Sequence, residues 1–128
     1  MARVLIVDDE RSTVEMLAKA MAVFGHEALA AYGGQEALER VAAERPDVML
    51  LDLMMPGLDG YETLRRLRSL PGAGGLPVIV VTASAELDVE ARVAAAGGDA
   101  CLHKPVSLSA LNDLVERHAR RAVPHSSG

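Results

Sequence analysis

The stretch that decides the fold is residues 48–60, VMLLDLMMPGLDG. Four apolar residues lead directly into Asp52, as expected for a buried strand that ends at a polar site. Proline and glycine residues then indicate a loop. Asp59 follows, with Glu62 three residues later, which is a pattern that begins many helices. The stretch therefore predicts a strand, a loop that starts with a carboxylate, and a helix.

The same alternation of a short apolar run with an amphipathic segment occurs five times along the chain. Strands are predicted at Arg3–Val7, Glu27–Ala31, Val48–Leu51, Val78–Val81 and Ala100–His103. Helices are predicted at Ser12–Phe24, Gly34–Glu44, from Asp59 onward, at Glu86–Ala96 and after Ser107. Ser12 and Glu15 are predicted to form a capping box. Alternating strands and helices favour an α/β fold with an open, doubly wound parallel sheet.

The length and composition favour one domain and exclude several functional classes. A chain of 128 residues fits one domain, predicted at residues 1–122, with residues 123–128 as a disordered tail or a remnant of cloning. The net charge of -5 argues against nucleic-acid binding by this domain. A single cysteine indicates a reducing compartment, and no apolar run is long enough to span a membrane. Because no signal peptide is evident either, we expect a cytoplasmic location.

Polar residues follow four of the five predicted strands. Asp8 and Asp9 follow the first, Asp52 the third and Thr82 the fourth, while the fifth leads into Lys104. Each of these residues alone would more often be a turn residue, a strand end or a surface charge. In a parallel sheet, however, the carboxyl ends of the strands meet at one edge, where ligands bind. The coincidence therefore predicts a functional site.

The predicted group has the chemistry of phosphoryl transfer. Three close carboxylates repel one another unless a cation joins them, and an oxygen-only ligand set suits Mg²⁺, or alternatively Mn²⁺. A carboxylate can act as a nucleophile toward phosphorus. The charge that develops on the phosphoryl oxygens then needs a cation and hydrogen-bond donors, which the metal, Lys104 and Thr82 would supply.

These motifs resemble those of the response-regulator receiver domain of two-component signalling. The matching segments are Val7-Asp8-Asp9-Glu10, residues 52–60, Thr82-Ala83 and Lys104-Pro105, in the order and spacing of that family. The resemblance covers almost the whole chain. It implies a flavodoxin-like (βα)5 sandwich whose five strands lie in the order 2-1-3-4-5, with a cis peptide bond before Pro105.

The resemblance also implies a role for each site residue. Asp52 matches the phosphoacceptor, Lys104 the cation that pairs with the phosphoryl oxygens, and Thr82 the hydroxyl that moves toward the phosphate. The implied metal ligands are Asp9, Asp52, Asp8 through a water molecule, and the backbone carbonyl of Met54. The implied partners are a histidine kinase or phosphotransfer protein and a downstream protein target or output domain. The oligomeric state is left open.

Three positions set this chain apart within that resemblance. Receivers usually carry an aromatic or histidine ring where this chain has Cys101, and a Phe where it has Val106. We therefore expect the readout through the threonine to be different from, or weaker than, the readout in receivers that carry the ring. A redox-sensing role for Cys101 is a weaker alternative to an inert, buried thiol. An apolar Met54 cannot orient a water molecule, so we expect slow loss of the phosphoryl group.

Two other functions compete with a phosphorylated signalling domain. A phosphatase with an aspartyl-phosphate intermediate would usually carry a second Asp two residues after the nucleophile, where this chain has Met54. We therefore expect that the protein is not an enzyme beyond assisting its own phosphorylation and dephosphorylation. A receiver that binds partners without phosphate is disfavoured by the complete set of acidic, hydroxyl and lysine residues.

Overall fold

The computed structural model describes residues 1–122, with side chains through residue 119; the predicted tail at 123–128 lies outside the described residues. Five strands alternate with five helices in this range. The strands are β1 (Arg3–Val7), β2 (Glu27–Ala31), β3 (Val48–Leu51), β4 (Val78–Thr82) and β5 (Ala100–His103). The helices are α1 (Arg11–Val23), α2 (Gly34–Glu44), α3 (Gly60–Ser69), α4 (Val89–Ala96) and α5 (Leu108–Ala122). No helix within the described range has both the length and the apolar character that a membrane crossing needs.

The strands form one parallel sheet in the order β2-β1-β3-β4-β5, which confirms the predicted fold. Alternate residues of each central strand point to opposite faces, so the sheet has a separate core on each side. One core packs against α2, α3 and α4 and includes Leu5, Met49 and Leu51. The other packs against α1 and α5 and includes Ile6 and Leu50. The two cores hold the ends of β1, β3 and β4 rigidly at one edge.

Two predicted helix starts are wrong, and both differ because a side chain binds a nearby backbone group. Helix α1 begins at Arg11, and no side chain caps its first turn, so the capping box predicted at Ser12 and Glu15 is absent. Instead, the Asp8 carboxylate accepts a hydrogen bond of 3.0 Å from the Glu10 backbone N–H, which holds Glu10 as the extended N-cap residue. Such local bonds compete with helical ones.

Helix α4 starts three residues later than the sequence pattern predicts. It begins at Val89 rather than Glu86. The Ser84 hydroxyl accepts a hydrogen bond of 3.3 Å from the Glu86 backbone N–H, and this local turn occupies the residues that would have formed the first helical turn. The predicted Asp59 cap of α3 is confirmed, because its carboxylate accepts a bond of 2.9 Å from the Glu62 backbone N–H.

The loop from β3 to α3 folds tightly back on the residue that follows β3. The Gly60 backbone N–H donates to the Leu53 carbonyl at 3.1 Å. A Cβ atom at Gly60 would lie 2.6 Å from the Leu53 Cα and 2.7 Å from the Asp52 carbonyl oxygen. Only glycine therefore permits this approach, which fixes the backbone beside Asp52.

We predict that Gly60→Ala destabilises the fold by about 1–3 kcal/mol, the usual cost of forcing an atom into a packed site. The matched control is Gly75→Ala, because a Cβ atom at Gly75 meets no atom within 4 Å. Urea unfolding of both variants at neutral pH checks the prediction. Equal stability of the two variants would show that the loop relaxes freely around residue 60.

Candidate functional site

Three carboxylates converge at the carboxyl edge of the sheet, as the sequence predicts. One oxygen each from Asp8, Asp9 and Asp52 lies within 4.8 Å of the other two. Asp8 and Asp52 are buried, whereas Asp9 is exposed to solvent. The Asp52 backbone N–H donates to the Val7 carbonyl at 3.0 Å, so the pairing of β1 with β3 sets the separation of these groups.

Lys104 provides the positive charge within this cluster. Its Nζ atom lies 3.0 Å from Asp8 Oδ2 and 4.0 Å from Asp52 Oδ2. The backbone N–H of Lys104 donates to the Thr82 carbonyl at 2.8 Å, which places the residue just beyond β5. The peptide bond that follows, Lys104-Pro105, is cis, as predicted. The lysine therefore lies near two carboxylates that follow different strands, β1 and β3.

Thr82 ends β4, the strand that neighbours β3, and its side chain is fully buried. Its hydroxyl oxygen accepts a hydrogen bond of 3.1 Å from the Ser84 backbone N–H. This bond ties the hydroxyl to the loop between β4 and α4. A change in the position of the Thr82 hydroxyl would therefore alter the contacts of that loop.

The electrostatic environment of the cluster shifts the pKa of Asp52. Burial raises the pKa of the Asp52 carboxyl, and the neighbouring Asp8 carboxylate raises it further. Lys104 and the Met54 backbone N–H, 3.4 Å from Asp52 Oδ1, lower the pKa but do not cancel the shift. Ionisation of Asp52 is thus less favourable than that of a free aspartate, and additional positive charge in the site would favour it.

The residues present fit a hard divalent cation. The donor set consists only of carboxylate oxygens, one of them open to solvent, which is the kind of site that Mg²⁺ binds while keeping part of its water shell. A cation here would also offset the repulsion that raises the pKa of Asp52. The acidic cluster can therefore hold a metal ion, with Asp8, Asp9 and Asp52 as the side chains nearest to it.

Cys101 lies on β5 and is half-buried, with no disulfide partner. Burial raises the pKa of its thiol, and the Glu90 carboxylate raises it further. Because the thiolate is the reactive form, this environment favours the inert thiol over the redox-sensing alternative. Val106 packs at the margin of the core formed with α1 and α5.

Sequence reasoning missed the contacts that surround the site. The hydrogen bond from the Glu10 backbone N–H to the Asp8 carboxylate and the close approach of Gly60 to Asp52 both lie next to residues that the motifs identified. Neither could be read from hydrophobic periodicity. A glycine directly after a helix-capping aspartate, at residues 59–60, is the one signal in the sequence for the second contact.

The chain is similar to response regulators over most of its length. A family model described as the response regulator receiver domain matches residues 4–116. Response regulator MprA of Mycobacterium bovis is 38% identical over 125 residues, which cover 98% of this chain and 54% of that protein. The MprA protein of Mycobacterium avium is 38% identical over 122 residues, covering 95% of this chain and 53% of its own length. The chain thus spans about half the length of the curated relatives it matches.

Solved structures give the same fold. Chemotaxis protein CheY4 of Vibrio cholerae matches with a TM-score of 0.86 and 29% identity, covering 92% of this chain and 98% of that one. The signal receiver domain of a signal transduction histidine kinase from Syntrophus aciditrophicus matches with a TM-score of 0.89 and 27% identity, covering 100% of this chain and 97% of that one.

We predict that Asp52→Asn stabilises the metal-free protein at neutral pH. Because the pKa of Asp52 is raised, the folded state binds more protons than the unfolded state between the ordinary pKa of an aspartate and the raised pKa in the folded protein. Stability therefore falls as pH rises through that window. The neutral amide of the variant cannot ionise, so the variant does not lose this stability as pH rises. Thermal melts in EDTA should show a Tm higher by a few degrees for the variant, and a flatter dependence on pH in the weakly acidic range.

The control for this prediction is Glu15→Gln, which neutralises an exposed carboxylate on α1. We expect its melting temperature to match that of the wild type. A lower Tm for Asp52→Asn than for Glu15→Gln would mean that the Asp52 carboxylate stabilises the fold, contrary to this account.

Proposed function

The chain belongs to the response regulator receiver domain family, and we propose that it accepts a phosphoryl group on Asp52 from a histidine kinase or phosphotransfer protein. The observation that carries this proposal is the position of Lys104 Nζ between the Asp8 and Asp52 carboxylates, beside the exposed Asp9. In a structural ion pair, one ammonium group is matched by one carboxylate. Here the Lys104 ammonium lies near two carboxylates, so the cluster keeps an excess of negative charge. That excess suits a site that binds a further cation before it reacts.

Asp52 acts as the nucleophile in this proposal. A carboxylate oxygen forms a bond to phosphorus, the bond from phosphorus to the donor imidazole nitrogen breaks, and its electron pair stays on that nitrogen. Burial raises the free energy of the ionised carboxylate. The phosphoryl group that replaces this charge is itself anionic, so the product needs Lys104 and a bound cation beside it. Loop residues next to Asp52, held by Gly60, keep the oxygen in place.

Lys104 and Thr82 respond to the new group. Lys104 turns from Asp52 Oδ2 toward a phosphoryl oxygen while its neighbour Asp8 keeps it at the site. The Thr82 hydroxyl donates to a second phosphoryl oxygen, which changes its present bond with the Ser84 N–H. The change at Thr82 couples the reaction to the loop that precedes α4.

We propose Mg²⁺ as the resident cation, with Mn²⁺ as the alternative, held by Asp9, Asp52, the Met54 carbonyl and, through water, Asp8. When bound, the ion neutralises charge that develops on the phosphoryl oxygens. The side chains for this role converge at the sheet edge, and Asp9 leaves the site open to solvent.

The role we propose is signalling in the cytoplasm by contact with a downstream target or output domain, not turnover of a separate substrate. The Met54 side chain points to solvent and offers no acid or base beside Asp52, which supports this choice over a phosphatase. The acidic net charge supports protein rather than nucleic-acid partners for this domain.

We predict that incubation with acetyl phosphate and Mg²⁺ adds one phosphoryl group to the wild type and none to Asp52→Asn. Intact mass spectrometry measures the gain, and EDTA should abolish it because the reacting charges then lack their cation. The matched control is Asp113→Asn, which removes an exposed carboxylate on α5 and should leave the gain unchanged. Equal labelling of Asp52→Asn and wild type would refute Asp52 as the acceptor.

A second prediction concerns the lifetime of the phosphoryl group. Met54→Asn places an amide at the rim of the site, where it can orient a water molecule for attack, so hydrolysis should become faster. The decay of the phosphorylated mass after removal of acetyl phosphate gives both rates. Met54→Leu is the control, since it keeps an apolar side chain. Equal decay for the asparagine and leucine variants would contradict the idea.

A further inference from the structure

The usual route from threonine to surface is interrupted in this chain. Cys101 on β5 has no ring that could move when Thr82 moves. A groove of about 250 Å³ lies beside it, lined by residues that include Glu90, Val93 and Cys101. Cys101 therefore leaves an open groove next to β5. A signal that leaves Thr82 needs another path.

A continuous series of contacts does leave Thr82, but through the loop before α4. The Ser84 backbone N–H donates to the Thr82 hydroxyl at 3.1 Å. The Glu86 backbone N–H donates to the Ser84 hydroxyl at 3.3 Å. The Glu86 carboxylate in turn accepts a hydrogen bond of 3.1 Å from Arg92 on α4. Three consecutive contacts therefore link the buried hydroxyl to an exposed arginine.

The series ends on an aromatic ring from a different helix. The Arg92 guanidinium lies 4.3 Å from the centroid of the Tyr61 ring, which belongs to α3. The Tyr61 hydroxyl oxygen is buried and finds no hydrogen-bond partner among the described residues. Burial also raises the pKa of Tyr61 although Arg92 opposes the shift, so the hydroxyl stays protonated and lacks an acceptor. A buried, unpaired hydroxyl is unfavourable, so a position that gives the Tyr61 hydroxyl an acceptor would be favoured.

We propose that these contacts form a relay that carries the state of Thr82 to the surface between α3 and α4, in place of a ring at residue 101. The α4 relay consists of Ser84, Glu86, Arg92 and Tyr61. The inference rests on the proposed phosphorylation of Asp52, because that reaction is what moves the Thr82 hydroxyl.

The α4 relay acts by losing its contacts one after another, starting at Thr82. When Thr82 donates to a phosphoryl oxygen, its hydroxyl turns away from the Ser84 N–H and releases the start of the loop. The residues between β4 and α4 are largely exposed and belong to no helix, so they can shift without disturbing the core. Glu86 then separates from Arg92, and the guanidinium leaves the ring.

The result is a changed surface. With Arg92 displaced, the Tyr61 ring is uncovered and its hydroxyl can reach water or an acceptor on a partner. Aromatic side chains with one polar group are favoured anchors in protein interfaces. The phosphorylated protein would therefore present Tyr61, between α3 and α4, to a protein partner, and the resting protein would conceal it beneath Arg92.

The composition permits a direct test of the Tyr61 environment. The chain has no tryptophan and two tyrosines, so Tyr32→Phe leaves Tyr61 as the only source of tyrosine fluorescence. The substitution keeps the ring that lies 4.2 Å from the Arg11 guanidinium. Emission is recorded before and after acetyl phosphate and Mg²⁺, and intact mass spectrometry of the same sample measures the phosphorylated fraction.

We expect the emission of Tyr61 to change in proportion to the phosphorylated fraction. Adding Glu86→Ala, which cuts the relay, should abolish most of this response while the phosphorylated fraction is unchanged. Adding Glu39→Ala instead, which removes an exposed carboxylate on α2, should leave the response intact. Glu86 and Glu39 are both exposed, so neither variant threatens the core.

The outcomes separate the relay from the reaction. Full phosphorylation with unchanged Tyr61 emission would overturn the relay and leave the proposed function standing. An equal response in the Glu86→Ala and Glu39→Ala proteins would also overturn it, because the signal would then reach Tyr61 by another route. Absence of phosphorylation would overturn the proposed function and the relay with it.

Discussion

The repulsion among three carboxylates at one edge of a sheet is the constraint on which the rest of this structure depends. Asp8 and Asp52 are buried there with the exposed Asp9 beside them, and Lys104 provides one positive charge for the group. Charges at such distances are costly in a partly buried setting unless they are matched. The site is therefore held in an unfavourable state that a bound cation can relieve, and the same cation can then offset the charge of a phosphoryl group.

The fold is what makes that arrangement stable. Parallel pairing of β1, β3 and β4 brings their carboxyl ends together, and apolar residues on both faces of the sheet fix the strands. The loop after Asp52 is held in place, because Gly60 packs against its backbone. The rigid sheet thus keeps the three carboxylates together, although their repulsion would separate them on a more flexible backbone.

Sequence reasoning predicted most of the fold and the main site residues, because both depend on simple patterns. The apolar runs that end at Asp52 and Thr82 gave the strands, and parallel topology then placed the polar residues at one edge. The starts of α1 and α4 were missed because the Asp8 and Ser84 side chains accept hydrogen bonds from nearby backbone N–H groups, and these bonds outweigh local helix patterns. The contact of Arg92 with Tyr61 joins two helices far apart in sequence, and nothing in the local sequence around either residue indicates it.

The most direct test of the central constraint is the affinity of the metal-free protein for Mg²⁺, measured by isothermal titration calorimetry on the wild type, Asp9→Asn and Asp52→Asn. We expect one Mg²⁺ per wild-type chain and binding weaker by at least about tenfold in each variant, since each loses a charged ligand, and tenfold corresponds to about 1.4 kcal/mol. Unchanged affinity in both variants would show that the carboxylate cluster is not the cation site, and the account would then fail at its first step.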